Sequence, residues 1–272
     1  MNALIHAALA ASLLALASLP VLAGDDPEGD VPATPAVPDP GHEHAAAVAT
    51  AEATGRAIFE HDRAAAVATD VAMAQRSFKR DRRVRGWVTE AKDGGTVVTF
   101  VDDTPSALYR VLVSTDGEPS PLLPLEAPEP LTGFEAGAAT ARRVALESDF
   151  AACSKTYNTV VLPDASEAGA WVVYLLPGTT RKNEVPIGGT YRVEVRNGAV
   201  SAQRGFTRSC IVLSRGPKVG AMMITHLLDP MPTEAHVHWS LWAGTPMYVA
   251  AQSGVWAIEE GRLRPLSDED DE

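Results

Sequence analysis

The sequence predicts an α+β fold: two helix-plus-antiparallel-sheet halves behind a signal peptide and an acidic linker. Three observations carry that expectation. Strand-like segments come in runs and do not alternate with helices. Each run follows an alanine-rich segment of high helical propensity. A stretch at 119–130 with five prolines reads as a linker between the halves.

The chain has 272 residues, 46% hydrophobic and 21% charged, which is globular composition. Its 20 Pro and 21 Gly imply many turns. The formal net charge is -12, from 23 basic and 35 acidic residues. A general nucleic-acid binder carries a basic face, so nucleic acid is excluded as a partner. The acidity sits at the ends. Asp25, Asp26, Glu28, Asp30, Asp39 and Glu43 precede the first helical segment, and Asp268, Glu269, Asp270, Asp271 and Glu272 close the chain. Without these 11 the balance is 24 acids to 23 bases, so the body is near neutral. Such runs repel themselves and stay solvated. They also offer a handle to a basic partner or to divalent cations.

Residues 1–23 read as a secretory signal peptide. An uncharged apolar run, IHAALAASLLALASLPVL, ends at the small-residue site Val21-Leu22-Ala23. The segment ahead of it lacks Lys and Arg, and the run is just long enough to serve as an uncleaved anchor instead. After cleavage no membrane span is expected, and the protein is placed in the periplasm or outside the cell. Residues 24–44 read as a proline-rich acidic linker with no core-forming pattern. Two cysteines in an exported chain read as one disulfide, Cys153–Cys210. Closing so long a loop stabilises by about 4 kcal/mol in the chain-entropy model. The alternative, a nucleophilic Cys153, has no adjacent His or helix N-terminus to activate it.

The first region, 45–118, opens on an alanine-rich helix that Gly55 divides in two. In its second part Ala64, Val67, Val71, Ala74 and Phe78 share one face. Six bases then fall between Arg76 and Arg85 against the single acid Asp81. Cations complement a helix C-terminus. Arg80, Arg82, Arg83 and Arg85 are the candidate anion patch, for an acidic partner or the chain's own acidic tail. Strands are predicted at 85–91 and 96–101, joined through Asp93-Gly94-Gly95, and at 108–114.

The second region, 131–266, opens on Thr132-x-x-Glu135, a capping box ahead of a helix from Phe134 to about Cys153. Strands follow at 159–162, 171–176, 191–196 and 200–203. Asn197-Gly198 is a type I′ hairpin signal between the last two. Further strands are predicted at 211–213, 221–227, 236–241, 247–251 and 255–259. Residues 267–272 are the acidic tail.

No G-x-S-x-G elbow, phosphate-binding loop, H-E-x-x-H or C-x-x-C motif is present. The one chemical cluster is THLLDPMPTEAHVHW, which gathers His226, Asp229, Glu234, His236 and His238. Imidazole and carboxylate are standard zinc ligands. On a strand, His236 and His238 point to the same face. His226, His236 and His238 are therefore the candidate metal ligands, and zinc is the one cofactor the sequence offers. A half-buried histidine group without metal is the other reading.

This stretch resembles the JAMM/MPN-type metal-dependent isopeptidases, whose pattern is His-x-His followed by Pro-Ser-x-x-Asp. His226 matches the second His, and Pro232-Thr233-Glu234-Ala235-His236 matches the later motif. Ile224 stands where the first His would be, Thr233 replaces Ser and His236 replaces Asp. The resemblance covers at most residues 131–266. It implies a zinc-dependent amide hydrolase with a rebuilt ligand set, or a pseudoenzyme. His238, Asp229 or Glu234 would complete the ligands, and Glu184 or Glu194 would serve as the base.

Trp239 and Trp242 offer a second lead: on a strand they point to opposite faces, one into the core and the other free to face a glycan or peptide ligand, and packing of both in the core is the other reading. With no complete catalytic motif, the function expected first is a non-catalytic binding or accessory protein of the cell envelope. Its partner would be a protein, a peptide or a glycan. The alternative is the zinc hydrolase.

Overall fold

Helix α1 (Ala45–Ala74) runs for 30 residues without a break at Gly55. The sequence suggested a division there because glycine costs about 1 kcal/mol in a helix interior. The structure shows what the glycine is for. A Cβ at Gly55 would stand 2.5 Å from Val237 Cβ and 2.7 Å from the Glu234 carbonyl oxygen. Only glycine lets α1 cross helix α4 (Glu234–Ala243) this closely.

The computed structural model describes residues 44–216 and 218–266. The segments expected as a signal peptide and acidic linker, up to residue 43, and the tail at 267–272 lie outside the described residues. All described residues fall within one compact unit. They form an α+β fold, and no described helix is long and apolar enough to cross a membrane.

After α1 come the short helix α2 (Arg76–Arg80) and a four-stranded meander: β1 (Gly86–Lys92), β2 (Gly95–Val101), β3 (Ala107–Ser114) and β4 (Leu123–Glu129). The stretch expected as a proline-rich linker thus contains β4, which pairs with β3 across a register shift. Its prolines fit an edge strand, where the missing N–H faces solvent.

Helix α3 (Gly133–Leu146) starts on the expected capping box. The Glu135 N–H donates to Thr132 Oγ1, and the Thr132 N–H donates to Glu135. It ends at Leu146, short of Cys153. The second sheet has the order β5 (Tyr157–Pro163), β6 (Trp171–Pro177), β8 (Tyr191–Arg196), β9 (Ala199–Gly205). Asn197 and Gly198 turn β8 into β9 with φ of 51° and 73°, as a type I′ turn requires. Strands β7 (Glu184–Val185) and β10 (Leu213–Ser214) form a small separate pair. The third sheet has the order β11 (Met222–Thr225), β12 (Met247–Ala251), β13 (Gly254–Glu259), β14 (Arg262–Pro265). Strands β11 and β12 are parallel, because α4 carries the chain across between them. Cys153 and Cys210 are bridged.

The layers share cores. One face of the first sheet packs on α1 and α2 through Val98, Phe100, Val111 and Phe78. Its other face, with Val88 and Val101, meets α3. The second sheet is buried on both faces. Val161, Val173 and Leu175 meet α3, while Val160, Val172, Tyr174 and Leu176 join the largest core. That core also takes Ala51 and Ile58 of α1, the inner face of the third sheet and Val237 and Trp239 of α4. The two regions on either side of 119–130 therefore do not have separate cores.

Candidate functional site

The histidine cluster is built on the loop from β11 to α4 and on the first turn of α4. The sequence suggested a strand at 236–241. The structure has a helix, in which residues 235–240 are buried without interruption. A helix covered on all sides shows no 3.6-residue stripe, so a short apolar run does not reveal it.

The helix sends His236 and His238 about 200° apart around its axis. His236 sits at the third helical position and completes the cap. Its Nδ1 accepts the Thr233 backbone N–H at 3.1 Å, with Thr233 Oγ1 at 3.0 Å. An accepting Nδ1 places the ring proton on Nε2. Burial lowers the His236 pKa to about 3, so the ring is neutral.

His226 follows β11 and is buried. Its Nε2 lies 2.8 Å from Asp229 Oδ2. Arg204, just inside the end of β9, grips both oxygens of the same carboxylate, at 2.9 and 2.5 Å. Burial pushes the Asp229 carboxyl upward, but Arg204 and His226 outweigh it and hold the group below its ordinary value. The Arg204 guanidinium also covers the Phe206 ring at 4.9 Å. Phe206 stacks in turn on Tyr174, whose hydroxyl donates to Glu234 at 3.1 Å. The His226 and His236 rings meet edge to face, 4.5 Å apart. The cluster joins β6, β9, the β11–α4 loop and α4.

His238 is fully buried and belongs to neither network. Neither of its ring nitrogens has a hydrogen-bond partner. Burial lowers its pKa to about 3.

The expected zinc triad therefore does not form. His236 spends its only lone pair on the helix cap, and His238 points elsewhere. Glu234 and Asp229 are already bonded to Tyr174 and Arg204. Among the described residues no three His, Cys, Asp or Glu side chains are grouped to hold a metal. The donor set does not fit zinc. Of the two acids considered as a base, Glu184 pairs with Arg181 and Glu194 with Arg192 and Arg196.

No family model matches the chain, and no curated protein matches it. Among solved structures, the Bacillus megaterium YpeB C-terminal domain is similar at 16% identity, over 51% of this chain and 63% of that chain, with a TM-score of 0.17. This chain thus spans less than two thirds of that one. A likeness at this level fixes neither fold nor activity.

The remaining candidates divide. Trp239 is buried, and its indole N–H donates to Thr190 Oγ1 at 2.8 Å, so it faces the core and not a ligand. Trp242 is half-buried, edge to face with Trp239, and carries the Arg215 guanidinium on its ring. Arg80, Arg82, Arg83 and Arg85 are exposed, but those from Arg82 onward lie beyond α2. Arg83 is not free. It binds Asp81 at 2.6 and 2.9 Å, and the Tyr109 hydroxyl donates to the same carboxylate.

The surface with the strongest binding character was not foreseen. The inner residues of the third sheet, Met222, Ile224, Val249, Trp256 and Ile258, are in the core. The alternate residues point away from it. Met223 is 64% exposed, and Tyr248, its register partner on β12, is half-buried. Val255 is 37% exposed and pairs with Ala250 further along β12. Leu227, just past β11, is 67% exposed. The sequence signal was present in Met222-Met223-Ile224, which is apolar in both phases of the strand.

Proposed function

We propose that this is an exported, non-catalytic binding or accessory protein of the cell envelope, which docks an apolar peptide or protein segment on the outer face of its third sheet. The observation that carries the reading is that face. Met223 and Leu227 are the most exposed large apolar side chains among the described residues. Met223 lies on β11, the edge strand of the sheet, and Leu227 just past its end. An apolar patch beside an open strand edge is the surface a partner strand or loop uses. The internal use of Asp229, His236 and Arg204 also favours binding over hydrolysis, because these groups build the fold. Export is part of the proposal and is supported by the Cys153–Cys210 disulfide, which persists in oxidising compartments.

The test is site-specific photo-crosslinking in cells, with the reactive residue placed in turn at Met223, Leu227 and Thr140. Thr140 is exposed on α3, away from the third sheet. One common adduct from Met223 and Leu227, absent from Thr140, is expected. No adduct, or the same adducts from all three sites, would overturn the reading.

A further inference from the structure

Helix α1 forms one wall of an open cleft of about 380 Å³. That volume is at the lower end of the range of ligand sites, about 300–1,000 Å³. Arg56, Phe59, Glu60 and Arg63 line it from one stripe of α1, at the spacing that aligns side chains on a helix face. The opposite walls are the β1–β2 hairpin, the end of β3 and Leu241 of α4. The floor is apolar, from Phe59, Ala64, Val113 and Leu241.

The cations of this cleft are left with charge to spare. Arg56 donates to the carbonyls of Glu260 and Gly261 at 3.3 and 3.2 Å, which fixes the guanidinium without neutralising it. Arg63 lies against Gly117, where a Cβ would come within 2.5 Å of its Nη2. Among the described residues Arg63 has no ion pair. Lys92 is matched by Glu90 at 2.5 Å. Glu60 is the one acid of the lining. A fixed Arg56 and an exposed Arg63, neither with an ion pair among the described residues, beside an apolar floor are complementary to an oxyanion on an apolar body. Guanidinium groups suit carboxylate and phosphate because their planar forks bind two oxygens at once.

We infer that the α1 cleft is a binding site for a small anionic amphiphile, a carboxylate or phosphate head on a short apolar body. Arg63 and Arg56 take the head, and Phe59, Val113 and Leu241 take the body. The site is separate from the sheet face proposed above, and either can fail without the other.

The full chain is titrated with octanoate, octyl phosphate and octanol, followed by calorimetry and by the backbone amide resonances. Saturable binding of at least one anion is expected, with shifts centred on Gly95 and Thr96. Octanol is expected to bind at least tenfold more weakly. The preferred anion separates a carboxylate source from a phosphate source. Arg63→Gln and, independently, Arg56→Gln should each weaken the anion by about tenfold, with thermal unfolding checked for both. The inference is overturned if neither anion binds, if octanol binds as well as the anions, if the shifts centre on β11 and β12, or if both folded variants bind as the natural chain does.

Discussion

His226 Nε2 lies 2.8 Å from Asp229 Oδ2, and the same carboxylate is gripped from the other side by Arg204. Three residues that looked like parts of a reaction centre, or lay outside it, form a clamp. The clamp pins the β11–α4 loop to the edge of the second sheet. Asp229→Asn removes the charge and one acceptor oxygen, leaving Arg204 and His226 competing for the other. A charge-assisted bond of this kind contributes about 1.5–3 kcal/mol. Chemical denaturation of the variant is expected to show a loss of about 2 kcal/mol at neutral pH with the slope unchanged.

His238 leads to the opposite expectation. A buried ring with two unpartnered nitrogens costs about 1–3 kcal/mol per unsatisfied group, while an apolar group of similar size costs nothing of the kind. His238→Leu should raise the unfolding temperature at pH 7. The ring is also a source of acid lability. Its folded pKa, about 3, lies below the ordinary histidine value of 6.5. The unfolded chain therefore takes up the proton first, and stability is lost as pH falls from about 6.5 toward 3. His236 acts in the same window and the same direction. The gain from His238→Leu should grow as pH drops from 7 to 5, and thermal melts at the two pH values measure it.

Asp62 has the reverse sign. Burial raises its pKa to about 6 from 3.8, against the hydrogen bond donated by Asn158 at 3.0 Å. Here the folded chain holds the proton more tightly. Stability is greatest with the acid protonated and falls as pH rises through about 6. Asp62→Asn keeps an oxygen for the Asn158 bond and removes the buried charge. A gain of about 1–3 kcal/mol is expected at pH 7.5, shrinking toward zero below pH 4. Urea titrations at both pH values check it.

The parts of the fold that could be read from the sequence are those fixed by local chemistry. Thr132 and Glu135 form a capping box wherever a helix begins, and Glu135 then also accepts from Thr99 and Arg110. Asn197-Gly198 takes the positive φ values its hairpin needs. Cys153 and Cys210 are bridged, as the pair of cysteines suggested. What could not be read depends on distant partners. Gly55 is a breaker by propensity and a contact point by packing, and only the position of Val237 decides which. His236 and His238 alternate as they would on a strand, but the helix that holds them is covered on every side. Arg204 is 22 residues from His226, and no local pattern joins them. In β4, Pro124 and Pro128 look like linker chemistry until β3 supplies the neighbour.

The most direct test of the claim that the histidine cluster is structural is the metal content of the purified, untagged full chain, measured beside its His236→Ala variant. The account predicts zinc far below one per chain in both, and no thermal shift on adding zinc. A stoichiometric zinc that disappears in His236→Ala would contradict it and return the cluster to catalysis.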